Sequence, residues 1–143
     1  MRRLMAAVAF TLEAASLGTA AAKEVPESTF VGWYVRVDSD NWGNYMNFLE
    51  KVHKVELEAL KKAGHIKGYQ FLKTRPKGPD DWNFAIVLEY KNWASLDIPD
   101  EVLDDVEDKA VAGIPNVKEM KKAKNAWRRV IGYQIYQSVD FMR

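Results

Sequence analysis

The chain contains no cysteine. That absence excludes disulfides, thiolate metal sites, a cysteine nucleophile and a lipoprotein anchor. It leaves export open, because a domain with an adequate core needs no disulfide. An excess of one charge is lacking too: 21 Lys and Arg stand against 20 Asp and Glu, a formal net charge of +1. Such a balance carries no electrostatic footprint for nucleic acid or an anionic membrane. Histidine is scarce, with two residues, so a zinc site within one chain would need carboxylates or unusual ligands. There is no Gly-x-Ser-x-Gly elbow, no phosphate-binding Gly-rich loop with Lys and no His-Glu-x-x-His. The sequence therefore assigns no metal and no cofactor. Internal repeats, linkers and low-complexity stretches are absent as well. What remains is an ordinary globular balance, 48% hydrophobic and 29% charged, over 143 residues, enough for one domain. Five Trp, six Tyr and six Phe supply large rings for a core or a pocket.

Residues 1–22 read as a signal peptide. Met1-Arg2-Arg3 is a short basic start, and Leu4 to Leu12 is almost wholly apolar but too short to cross a bilayer as a mature helix. Ala20-Ala21-Ala22 is the small-residue pattern a signal peptidase accepts, with cleavage expected after Ala22. The one departure is Glu13, a charge at the end of the apolar core; the alternative is an amphipathic helix that stays on the protein. Cleavage removes Arg2, Arg3 and Glu13 and leaves residues 23–143 formally neutral. The expectation is a periplasmic or secreted domain with no nucleic acid partner and no membrane contact after cleavage.

Lys23 to Ser28 reads as a polar lead-in. In Thr29–Asp38, Val31, Trp33, Val35 and Val37 alternate with Gly32, Tyr34 and Arg36, which predicts a strand. Asp38 to Asn41 offers helix caps for a helix over 42–63, with Trp42, Tyr45, Leu49, Val52 and Leu60 on one face and Phe48 and Val55 widening it. Gly64 ends that helix in a left-handed conformation. A second strand is expected over 65–74. Pro76 to Asp81 is the clearest turn, and it makes an antiparallel pair with the strongest strand, 82–90. There Trp82, Phe84, Ile86, Leu88 and Tyr90 take one face. A helix follows near Ile98 or Asp100, with Pro99 in its first turn. It carries a stripe of Val102, Leu103, Val106 and Ala110, and a solvated face of Asp104, Asp105, Glu107 and Asp108. Gly113-Ile114-Pro115 breaks it. Asn116 caps a further helix to about Asn125, and 128–140 is the last strand, with Ile131, Tyr133, Ile135 and Val139 on one face.

The order is β-α-β-β-α-β with a split second helix, the ferredoxin-like order. The fold class is α+β, four antiparallel strands with helices on one face. The third strand is apolar on both faces, so the second sheet face needs a cover, and a second copy of the sheet is the economical one. The segments Phe30 to Val37, the helix from Trp42, Gly68-Tyr69, Asn83 to Tyr90 followed by Trp93, and Arg129 to Tyr136 together resemble the dimeric α/β-barrel superfamily. The likeness is closest to small exported members without an assigned activity and spans most of residues 29–140. It implies a homodimer with a pocket in each subunit between sheet and helices, open to a small apolar or aromatic ligand. It specifies fold better than function.

His53 is the candidate catalytic residue. Leu49 and Leu57 lie four residues either side of it, and Glu56, three residues on, can orient it. A pocket imidazole held by a carboxylate can act as a general base; a boundary histidine with one wet nitrogen is the plainer reading. His65, at a helix-to-strand turn, is expected to be exposed. Candidate ligand-binding residues are the polar strand residues Tyr34, Arg36, Asn83, Glu89 and Tyr136. An Arg36–Glu89 pair between neighbouring strands would bind an oxygenated ligand or serve as a structural ion pair at a dimer seam. The tyrosines would donate to a ligand oxygen or fill the core. Trp33, Trp82 and Trp93 are read as core and edge anchors. Three functions stay open: a small-molecule binding domain, a cofactor-independent oxygenase or isomerase-like enzyme acting on an aromatic or polyketide-like ligand, and a structural homodimer with a filled core.

Overall fold

The computed structural model describes residues 24–141. The expected signal segment, residues 1–22, lies outside the described residues. Strand β1 (Glu24–Arg36) leads through a 3-10 turn (Ser39–Asn41) into α1 (Trp42–Phe48), a π turn (Leu49–His53) and α2 (Lys54–Lys62). Strands β2 (Gly68–Lys73) and β3 (Phe84–Tyr90) follow. A 3-10 turn (Trp93–Asp97), α3 (Asp100–Val111), α4 (Val117–Trp127) and β4 (Arg129–Phe141) complete the order. One antiparallel sheet runs β2-β3-β1-β4. Element order and strand order together make this a ferredoxin-like α+β fold.

The register sorts the strand residues onto two faces. Val31 pairs with Leu88, Trp33 with Ile86 and Val35 with Phe84 on the helix-covered face. There they bury against Tyr45, Phe48, Val52, Leu57 and Leu60 in one core. Phe30, Gly32, Tyr34 and Arg36 point the other way, as do Val87 and Glu89 of β3 and Gln134 and Tyr136 of β4. Among the described residues no helix covers that face. Gly32 makes room there for Tyr34: a Cβ would lie 2.9 Å from the Tyr34 hydroxyl and 3.1 Å from its ring, so the tyrosine would have to shift. Gly64 adopts φ +81°, the left-handed stop expected after the helix.

Several expectations need correction. The lead-in before Thr29 is strand, because Glu24, Val25 and Pro26 pair with the end of β4. The register shifts between Pro26 and Thr29, where proline has no N–H to give. Val55 is 37% exposed and Glu56 is buried at 4%. Glu56, four residues from Val52 and from Leu60 and seven from Leu49, lies at the centre of the apolar stripe, and Val55 lies at its edge. Neither Asp38, Asn41 nor Asn116 caps with its side chain; the backbone turn satisfies the first of these ends, Asn41 N–H donating to Asp38 O. Trp93 is about half exposed and anchors no core, and Tyr133 is exposed on the uncovered part of β4.

Candidate functional site between the helices and the sheet

A cavity of about 250 Å³ opens between the helices and the covered sheet face. Trp33, Leu57, Leu60, Ile86, Leu88 and Leu103 make its apolar walls. His53, Glu107 and Arg128 add polar groups, and Asp100 and Asp104 stand at its exposed edge. The covered strands supply the floor because their alternate residues are apolar. His53, four residues from Leu49 and from Leu57, is the last residue of the π turn, a feature often found at functional sites.

His53 sits where the sequence placed it. Its ring stacks on Phe48 at 6.2 Å and lies 6.5 Å from Phe71. Nδ1 is 3.0 Å from Glu56 Oε2. When Nδ1–H donates to that carboxylate, Nε2 carries the lone pair and can accept a proton. Glu56 is also 2.7 Å from Lys121 Nζ, which in turn holds Asp108 at 3.0 Å. Burial would raise the Glu56 carboxyl, but hydrogen bonds from His53 and Lys121 outweigh it and keep the group below its ordinary value. Burial works against the Lys121 charge; its bonds to Glu56 and Asp108 win and hold its ammonium above the usual value.

Glu107 behaves oppositely. Burial first, and the Glu56 charge second, push its carboxyl up to about 7. Lys124 is lowered by burial and then by Arg128, and burial raises the Tyr45 phenol against the pull of Arg128. Arg128 Nη1 donates to Tyr45 Oη at 3.1 Å.

Glu107 yields a pH-dependent prediction. An acid whose folded pKa is raised keeps its proton longer than the unfolded chain does. Stability is therefore full below 4.5 and falls as pH rises towards about 7. Glu107→Gln is neutral throughout. It is expected to match the parent near pH 4.5. At about pH 8 it is expected to gain on the order of 1–2 kcal/mol, allowing for screening of a partly solvated group. Urea melts at the two pH values measure this, and equal stability at the higher pH would reject the buried-acid account.

The five candidate ligand-binding residues lie away from this cavity. Tyr34, Glu89 and Tyr136 stand on the open sheet face. Tyr34 packs edge-on against Trp82 at 5.0 Å, and Tyr136 stacks on Phe30 at 5.5 Å. Burial and the Tyr34 hydroxyl together raise the Tyr136 phenol. Arg36 and Asn83 line a separate, wide-open groove of about 890 Å³. Both are engaged there: Arg36 donates to Gly78 O and Asp81 O, while Asn83 bonds Val37 N–H at 2.8 Å and Val37 O at 2.7 Å. The Arg36–Glu89 pair does not form. Although β1 and β3 are neighbours, Glu89 faces Phe30, six residues from Arg36. Glu89 instead takes Lys67 Nζ at 2.8 Å and Ser28 Oγ at 2.7 Å, hydrogen bonds that lower its carboxyl pKa. His65 is partly buried, not exposed.

Sequence reasoning missed Glu107, which it placed on the solvated face, and Arg128. The signal for Glu107 was its spacing: it lies four residues from Leu103 and next to Val106, on the stripe. Among the described residues no group of three His, Asp or Glu side chains is placed to hold a metal, and no helix is long and apolar enough to cross a membrane.

No protein-family model matches the chain, and no curated protein matches it. Among solved structures it is similar to HapK from Hahella chejuensis, with a TM-score of 0.49 and 10% identity, covering 77% of this chain and 91% of that one. It is similar to a dimeric ferredoxin-like protein from an uncultured marine organism, with a TM-score of 0.48 and 13% identity, covering 83% and 99%. SnoaB from Streptomyces nogalater, a cofactor-independent oxygenase, gives a TM-score of 0.43 and 13% identity, covering 80% and 94%. Several other structural neighbours are likewise dimeric ferredoxin-like proteins of unknown function.

Proposed function

We propose that the protein is an exported homodimer that binds a small, largely apolar molecule in the pocket beneath His53 of each protomer. The observation that carries this reading is the cavity itself: apolar walls, ionisable groups at defined places among them, and an imidazole fixed on one side by a buried carboxylate. Against a filled core, Trp33 lines the cavity and does not plug it, and Tyr133 lies out in solvent. Dimerisation is supported by the open sheet face, where Phe30, Tyr34, Leu72, Val87 and Tyr136 form an apolar surface. Its charged pair, Lys67 and Glu89, is internally matched, so a second copy would meet no net repulsion. Export rests on residues 1–22; protein recovered from the periplasm is expected to begin at Lys23, and a retained Met1 would reject it.

The binding test is calorimetric titration of naphthamide, a neutral two-ring probe, into the full chain. The parent is expected to bind it. Leu103→Trp, which fills the pocket from its partly exposed wall, is expected to lose at least about tenfold in affinity. A parent that takes up no probe would sink the pocket reading.

A second reading, acid–base catalysis without a cofactor, is favoured by the His53–Glu56 hydrogen bond. It would make the protein an oxygenase or isomerase-like enzyme in which Nε2 takes a proton from the bound ligand. His53→Ala would then bind naphthamide normally and abolish turnover of the native ligand. Turnover unchanged by that substitution would leave binding as the function.

A further inference from the structure

The apolar pocket contains a charged group with no counter-ion. Arg128 is the first residue after α4, in extended conformation at the junction with β4, and its side chain lines the cavity. One of its five donors is accounted for, Nη1 to the Tyr45 hydroxyl at 3.1 Å. Its Nε is buried and has no partner. Among the described residues no carboxylate forms an ion pair with it. A guanidinium cannot shed its charge, and here only the Tyr45 hydroxyl and the face of its ring, 5.8 Å away, attend it, with no anion beside it.

The neighbouring carboxylates form no ion pair with it: Glu107 lines the same cavity without bridging to Arg128, and burial pushes its carboxyl up to about 7. Glu56 is committed to His53 and Lys121. Asp100 and Asp104 stand at the exposed edge. The positive charge at Arg128 is felt by Lys124, which it helps to push down. The pocket is thus polarised, with the Arg128 charge free of an ion pair at one wall, apolar sides, the raised carboxyl of Glu107 within, and Asp100 and Asp104 at the edge.

We propose that the ligand is an aromatic monoanion: an apolar ring body carrying one anionic oxygen group, which Arg128 binds. This rests on the pocket reading above and specifies its ligand. The guanidinium fork presents parallel donors to two oxygens, so a carboxylate fits it better than a single carbonyl does. The edge acids disfavour a second negative charge on the part of the ligand nearest solvent. The volume, about 250 Å³, lies below the ~300–1,000 Å³ usual for drug-sized ligands and suits one or two rings.

The test compares naphthoate with naphthamide, which share shape and differ in charge, by calorimetric titration of the full chain. Arg128→Met keeps the apolar stem and removes the charged head; Arg128→Lys keeps the charge and removes the fork. The parent is expected to bind naphthoate about tenfold or more tighter than naphthamide. Arg128→Met is expected to lose that preference while holding naphthamide within about twofold, and Arg128→Lys to fall between. A purely structural role would weaken both probes equally. Equal binding of the two probes by the parent, or an undiminished naphthoate preference in Arg128→Met, overturns the assignment and leaves the pocket reading standing. Failure of both probes to bind the parent overturns the pocket reading, and this inference with it.

Discussion

Glu56→Ala is expected to be the most damaging single change within the site, costing roughly 2–4 kcal/mol of folding stability. Glu56 is 4% exposed and joins the two halves of the helical layer, with His53 on one side and Lys121 of α4 on the other. Removing it leaves an ammonium and an imidazole around a hole the size of a carboxylate. Breaking a buried pair costs about 3–5 kcal/mol where neither partner can reach water. Lys121 and His53 retain 29% and 23% side-chain exposure, which lowers that figure. Glu56→Gln keeps the volume and part of the hydrogen bonding, so it should cost less. The pH dependence has a fixed sign. The folded-state pKa of Glu56 lies below its ordinary 4.5, so its contribution is complete above 4.5 and is lost as pH falls through the lower, folded value. The gap between parent and Glu56→Gln should therefore close on acidification. Urea denaturation near neutrality and in acid checks both statements. A loss below about 0.5 kcal/mol for Glu56→Ala would mean that the network carries no stability.

The second large effect concerns assembly. Leu72 and Tyr136 lie on the open sheet face, 41% and 39% exposed in the single chain. Glutamate at either position stays solvated in a monomer, so folding should be little affected. In a two-fold dimer each substitution is buried twice. An uncompensated buried carboxylate costs several kcal/mol. The double variant Leu72→Glu, Tyr136→Glu is therefore expected to weaken self-association by roughly a thousandfold or more. Sedimentation should report a two-chain particle for the parent and a folded single chain for the variant. A parent that sediments as one chain would contradict the sheet-to-sheet dimer and require another cover for that face.

The element order was legible because β1 and β3 alternate so strongly and because Gly64 and the Pro76–Asp81 turn punctuate the chain. The pairing of His53 with Glu56 was legible from their spacing. Which polar residues line the cavity was not, and parity explains why. On β1 and β3 the helix-facing residues are Val31, Trp33 and Val35 with Phe84, Ile86 and Leu88. Tyr34, Arg36 and Glu89 are one step out of phase, so they face the open side and cannot reach a pocket under the helices. Asn83 is absorbed by the backbone of Val37. Arg128 was hidden for another reason. It sits between a helix and a strand, where neither period applies, and only the meeting of α4, β4 and Tyr45 places it on the cavity. The burial of Glu56 was within reach of the same spacing, since it lies four residues from Val52 and seven from Leu49, but its charge pointed to solvent.

A crystal of the full chain soaked with naphthamide would show whether the helix–sheet cavity is a binding pocket. Electron density for the probe between Trp33, His53, Leu60 and Leu103 is the predicted result. An empty cavity with the probe seated elsewhere, or closed by side chains that have moved into it, would contradict the account.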